Sequence, residues 1–181
     1  MPKLILLNES KNIKINLQKM SKKSLVVYTF LILFLIVADQ GSKTFLISYL
    51  KTQAAYSKSV LPFLDIVYAW NYGISFGLFG QHYQYSNHIF LVLNSIIIIY
   101  LFSLFYKSQD IAAQVGFMFI IGGALGNLID RLVRGAVFDF IYFHYSNYSF
   151  PAFNLADSFI SIGAVFFVYS YIKELDNSKK L

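Results

Sequence analysis

Only nine of the 181 residues are acidic, so the positions of the carboxylates limit the chemistry available to the chain. Glu9, Glu174 and Asp176 stand near the chain ends, Asp110 in a short polar break, and Asp65 in a polar-aromatic segment. Asp39, Asp130, Asp139 and Asp157 instead border or interrupt long apolar runs. There is no cysteine, which excludes disulfides, thiolate nucleophiles and Cys-ligated metals. His82, His88 and His144 form no HExxH-like arrangement, so neither a metal nor another cofactor is expected. Four carboxylates beside apolar runs could serve acid–base chemistry, since two acids at close range share a proton because both cannot readily ionise. Asn127-Leu-Ile-Asp130 and Asn154-Leu-Ala-Asp157 repeat one pattern, in which positions i and i+3 set an amide and a carboxylate on the same helix face. Asn154 can also cap a helix whose first turn holds Asp157 at the positive end of the dipole.

The elements that must position these groups follow from composition. With 57% hydrophobic and only 13% charged residues, the chain falls well short of the roughly one-quarter charged content of soluble domains. Long uncharged runs alternate with short polar stretches, as expected where each span needs about 20 apolar residues to cross about 30 Å of hydrocarbon. Leu25 to Ala38 covers only about 21 Å as a helix, so the first span must continue past Asp39 toward Leu46 or beyond. A cleaved signal peptide fits less well, because the run ends without an A-x-A-like exit and further apolar runs follow. The second span is expected over Ile89 to Tyr106, the third over Ile111 to Ile129, and the fourth from Asn154 to Ile172. The fold expected is therefore an α-helical integral membrane protein with four transmembrane helices. A small strand-containing extracytoplasmic region is expected at about residues 51–84, where Leu64 to Trp70 is rich in aromatic and β-branched residues. Val133 to Phe150, short and tyrosine-rich, reads as an interfacial loop.

Residues 1–23 form a basic tail, 24–172 the four-helix unit and 173–181 a second tail. Four spans put both termini on one side. That side holds ten lysines (Lys3, Lys11, Lys14, Lys19, Lys22, Lys23, Lys107, Lys173, Lys179 and Lys180). The opposite side holds five basic residues (Lys43, Lys51, Lys58, Arg131 and Arg134), so both termini are expected in the cytoplasm. The net charge of +6 is concentrated beside apolar runs and reads as membrane orientation rather than nucleic-acid binding. On this topology Asp39, Asp130, Asp139 and Asp157 converge on the outer membrane face, where ionisable groups are expensive and usually functional. The plainer reading is that they pair with Lys43, Arg131 and Arg134. For Asp130, next to Arg131, the two readings stand level. Asp157, with no basic residue nearby in sequence, favours function. Gly122, Gly123 and Gly126 favour close helix packing over a ligand cradle.

Five blocks in order, DQGSK (Asp39 to Lys43), NYGISFG (Asn71 to Gly77), GGALGNLIDR (Gly122 to Arg131), VFDF (Val137 to Phe140) and FNLADS (Phe153 to Ser158), strongly resemble bacterial lipoprotein signal peptidase, also called signal peptidase II. The resemblance covers about Leu25 to Ile172; Ser42 stands where threonine is common and Phe138 where valine is common. It implies an aspartyl endopeptidase of the bacterial inner membrane, multi-pass, with its site at the outer leaflet surface. The substrate implied is a diacylglyceryl-modified prolipoprotein, cut just before its lipidated cysteine; membrane lipid is the other partner, and a monomer is expected. By the resemblance Asp139 and Asp157 carry over as the catalytic dyad. Asp39, Asn71, Asn127, Asp130, Arg131, Asn154 and Ala156 carry over as supporting or substrate-contacting positions. Spacing alone leaves Asp39 and Asp130 as plausible as the dyad. A Ser42–Lys43 peptidase is disfavoured because adjacent helical residues point about 100° apart. A proton-coupled transporter would place its acids nearer the midplane.

Overall fold

A computed structural model describes residues 21–53, 56–73 and 83–178. Most of the basic N-terminal tail, the 74–77 half of the NYGISFG block, Gly80, His82 and the last three residues lie outside these bounds. Four long helices carry the fold: α1 (Lys22–Thr52), α2 (Tyr83–Lys107), α3 (Ile111–Arg134) and α4 (Leu155–Ser178). All four are long and apolar enough to cross a membrane. Even the 24-residue helices reach about 36 Å. The first span runs through Asp39 to Thr52, as its short uncharged run required. The others outlast their apolar cores: α2 begins six residues before Ile89, α3 ends five beyond Ile129 and α4 continues six past Ile172. Polar turns at helix ends keep helical hydrogen bonds although their side chains lack span character.

The helix α3 is the centre of the bundle and packs on α1, α2 and α4. Glycines permit the approach. A Cβ on Gly116 would lie 2.8 Å from the Gly163 carbonyl oxygen, and one on Gly163 would lie 2.6 Å from that of Gly116. Lipid gives apolar faces no reason to associate, so such backbone-to-backbone packing carries much of the association. The large side chains left exposed on α1, α2 and α4, among them Phe30, Phe34, Ile99 and Val165, suit a hydrocarbon solvent.

At the end of the bundle holding the α1 C-terminus and the α4 N-terminus sits an antiparallel sheet in the order β1 (Ser57–Leu61), β2 (Leu64–Asn71), β3 (Val137–Tyr145), β4 (Tyr148–Ser149). The strand expected near Leu64 to Trp70 is β2. The segment read as an interfacial loop is instead largely strand, since β3 pairs with β2 in the register Ala69↔Asp139, Trp70↔Phe138 and Asn71↔Val137. Its partner lies some 70 residues earlier, so the pairing had no local sequence signal. Gly135, at φ +77°, caps α3 in the left-handed region and turns the chain directly into β3. Phe138 and Phe140 pack with Leu50 on one face of β3, and strand alternation turns Asp139 to the other.

Candidate active site

Where α1, α3, β3 and α4 meet, two groups of carboxylates separate. In the first, Asp39 and Asp130 flank Lys43, and all three are completely buried. Lys43 Nζ lies 2.9 Å from Asp39 Oδ2 and 2.9 Å from Asp130 Oδ2. Asp130 also pairs with Arg134, one turn on, which donates to Gln40 Oε1 at 2.8 Å and Thr44 Oγ1 at 3.1 Å. Gln40 Nε2 donates to both acids at 3.1 Å. Two carboxylates facing a lysine and an arginine balance in charge, the condition on which buried ions are tolerated. The remaining lone pairs fix backbone: the Ala156 N–H donates to Asp39 Oδ1 at 3.0 Å and the Phe138 N–H to Asp130 Oδ2 at 3.2 Å. Asp39 thereby ties the start of α4 to α1, and Asp130 ties the start of β3 to α3. Gly126 makes room, since a Cβ there would fall 2.5 Å from Asp39 Oδ2.

The second group is Asp139 and Asp157, and no ion pair reaches either among the described residues. Asn154 joins them. Its side-chain Nδ2 donates to Asp139 Oδ1 at 2.6 Å, and its backbone N–H donates to Asp157 Oδ2 at 3.2 Å. Its own Oδ1 accepts the Asp157 N–H at 3.0 Å, which closes a reciprocal cap on α4. Asn127 Nδ2 donates to Asp157 Oδ1 at 2.8 Å. Asn71, at the end of β2, hydrogen-bonds Asp139. Asp139 is nearly buried and Asp157 partly so. Burial pushes the Asp139 carboxyl up to about 6, and the nearby Asp157 charge pushes the same way against the amides of Asn71 and Asn154.

The structure thus brings eight of the nine sequence-derived site residues into one network: Asp39, Asn71, Asn127, Asp130, Asp139, Asn154, Ala156 and Asp157. Arg131 stands at its edge, its guanidinium 5.0 Å from the Phe90 ring centroid and Nη1 3.4 Å from Asn87 Oδ1; its buried Nε has no hydrogen-bond partner among the described residues. The plainer ion-pair reading therefore holds for Asp39 and Asp130, through Lys43 and Arg134. Gln40 was not singled out from sequence, and Lys43 and Arg134 were read only as ion-pair partners of the acids. The spacing of Asp39 and Lys43 at i and i+4 in an apolar helix was the available signal for one of them.

Four membrane-capable helices with a cluster of buried carboxylates and amides at one end define a helical membrane protein with a polar site at the end of its bundle. The family described as Signal peptidase (SPase) II matches residues 31–173, and the chain belongs to that family. It is 52% identical over 153 residues to a lipoprotein signal peptidase of Rickettsia akari, covering 84% of this chain and 76% of the relative. It is 54% identical over 141 residues to that of Rickettsia conorii, covering 78% and 70%. A bacterial membrane enzyme solved by the in meso method at 2.3 Å shares the fold with a TM-score of 0.67 and 30% identity, over 84% of this chain and 92% of that one.

Proposed function

We propose that the chain is a membrane aspartic endopeptidase that removes signal peptides from diacylglyceryl-modified prolipoproteins, cutting before the lipidated cysteine, with Asp139 and Asp157 as its dyad. One observation carries the dyad assignment: among four converging acids, Asp39 and Asp130 are spent on cations, while Asp139 and Asp157 meet only neutral donors among the described residues and share Asn154. Asp157, held by two donors at the α4 N-terminus, takes a proton from water. The hydroxide equivalent adds to the scissile carbonyl, whose oxygen is hydrogen-bonded by the proton on Asp139. Collapse breaks the C–N bond, and the proton held by Asp157 passes to the leaving nitrogen.

The excess of lysine on the side of the termini supports cytoplasmic ends and a site at the outer leaflet surface of the inner membrane. There a substrate lipid can stay in hydrocarbon while the peptide bond reaches water. Residues 24–172 form the peptidase unit on this reading. Purified protein in detergent, mixed with lipidated prolipoprotein, should release the signal peptide; Asp139→Asn and Asp157→Asn should bind the precursor without cutting it. Turnover by either variant would move the assignment to Asp130.

A further inference from the structure

The ammonium of Lys43 has three protons and three acceptors: Asp39 Oδ2, Asp130 Oδ2, and Asn127 Oδ1 at 3.0 Å. The first two contacts balance charge. The third does something else. Asn127 Oδ1 also accepts from Asn154 Nδ2 at 3.3 Å, so two donors hold the amide oxygen on one side and leave the amide nitrogen facing Asp157. Turned over, the amide would set its NH2 against the Lys43 ammonium and the Asn154 NH2, and its oxygen against the Asp157 carboxylate. Every contact would then be donor to donor or acceptor to acceptor. Asn154 holds the orientation only weakly, because its contact with Asn127 Oδ1 is 3.3 Å, against 2.6 Å to Asp139 Oδ1 and 3.0 Å from Lys43 to Asn127.

We infer that Lys43 is a positioning residue for the dyad: it fixes the direction of the Asn127 amide and so keeps a hydrogen-bond donor on Asp157. This rests on the dyad assignment above. The charged and titratable groups around the site among the described residues are Asp39 and Lys43 from α1; Asp130, Arg131 and Arg134 from α3; Asp139 from β3; and Asp157 from α4. Of the cations, only Lys43 hydrogen-bonds an amide that touches the dyad. Without it the Asn127 oxygen keeps only the 3.3 Å contact from Asn154, the donor to Asp157 is lost for part of the time, and the dyad's first deprotonation is harder.

Removing Lys43 alone would strand two buried carboxylates, so the test is run in the Asp39→Asn background, where Asp130 keeps Arg134. Three chains are compared by kcat, KM and pH–rate profile on a lipidated precursor: Asp39→Asn, Asp39→Asn with Lys43→Met, and Asp39→Asn with Lys43→Gln. Lys43→Met should lower kcat a further ten- to hundredfold, about the cost of a misplaced catalytic group. KM should be unaltered, and the acidic limb should move to higher pH. Lys43→Gln, which retains an N–H donor without charge, should recover part of the loss. A Lys43→Met chain that matches its Asp39→Asn parent in kcat and in its acidic limb overturns the proposal, since charge balance alone would then explain Lys43. Should that chain fail to fold, the Lys43→Gln chain decides: an acidic limb displaced upward despite the retained donor shows that charge, not the hydrogen bond, acts. Loss of activity in Asp139→Asn or Asp157→Asn is a separate result and judges the dyad assignment instead.

Discussion

Replacing Asp139 by asparagine should destroy activity and yet stabilise the protein as pH rises. The folded state keeps the Asp139 proton to about pH 6, whereas the unfolded chain releases it near 3.8. A raised folded value means that the native state binds more protons across that interval. Stability contributed by the protonated, buried carboxyl is complete below pH 3.8 and is lost as pH climbs through about 6. At 1.36 kcal/mol per pH unit the interval corresponds to about 3 kcal/mol. The Asp139→Asn side chain has no proton to lose and should escape that decline, while keeping an oxygen to accept from Asn154. Equilibrium unfolding in mixed micelles at pH 4 and pH 7.5 measures both chains. The stability difference, variant minus parent, should grow by about 2.4 kcal/mol between the two pH values, since part of the decline is already past at pH 4. A difference that stays constant across that range would refute the raised value of Asp139 in the folded state.

Gly126→Ala would bring a Cβ to 2.5 Å from Asp39 Oδ2, about 0.9 Å inside ordinary contact, against a carboxylate pinned by Lys43, Gln40 and Ala156. Displacement of that order should cut kcat roughly fifty- to hundredfold and lower thermal stability by about 1–3 kcal/mol; parental kcat would show that the pocket gives freely. The pH profile of kcat/KM should be bell-shaped with its basic limb near pH 6, where Asp139 loses its proton, and a plateau at high pH would sink the shared-proton mechanism. Reporter fusions should read cytoplasmic near Lys107 and at the C-terminus, and external near Lys58 and Tyr145. An unlipidated precursor should bind poorly, since each buried CH₂ contributes about 0.8 kcal/mol, and equal cleavage of both forms would contradict the proposed substrate.

The helices were legible because a bilayer imposes their length and polarity residue by residue, and the Asn-x-x-Asp pairs because helix geometry makes i and i+3 neighbours. Strand β3 was not legible. Val137 to Tyr145 is aromatic and β-branched enough for a strand, but the same residues suit a membrane interface, and only the distant pairing with β2 decides. That misreading carried Asp139 into a loop, whereas the alternation of a strand is what points it at Asn154. The division of four acids into two roles was equally hidden, because it depends on which carboxylates Lys43 and Arg134 reach across helices. Arg131, the neighbour of Asp130 in sequence, turns to Asn87 and Phe90 instead.

The site draws on the chain from Asp39 to Asp157, and the cap that Asn154 and Asp157 make for each other exists only once α4 has started. A chain still leaving the ribosome, with three helices in the bilayer, lacks one carboxylate of the dyad and the amide that links the pair. On the proposed reading, α4 is therefore the helix whose arrival completes the site. A chain inserted only through α3 would share its membrane with unprocessed precursors without a complete site for cutting them.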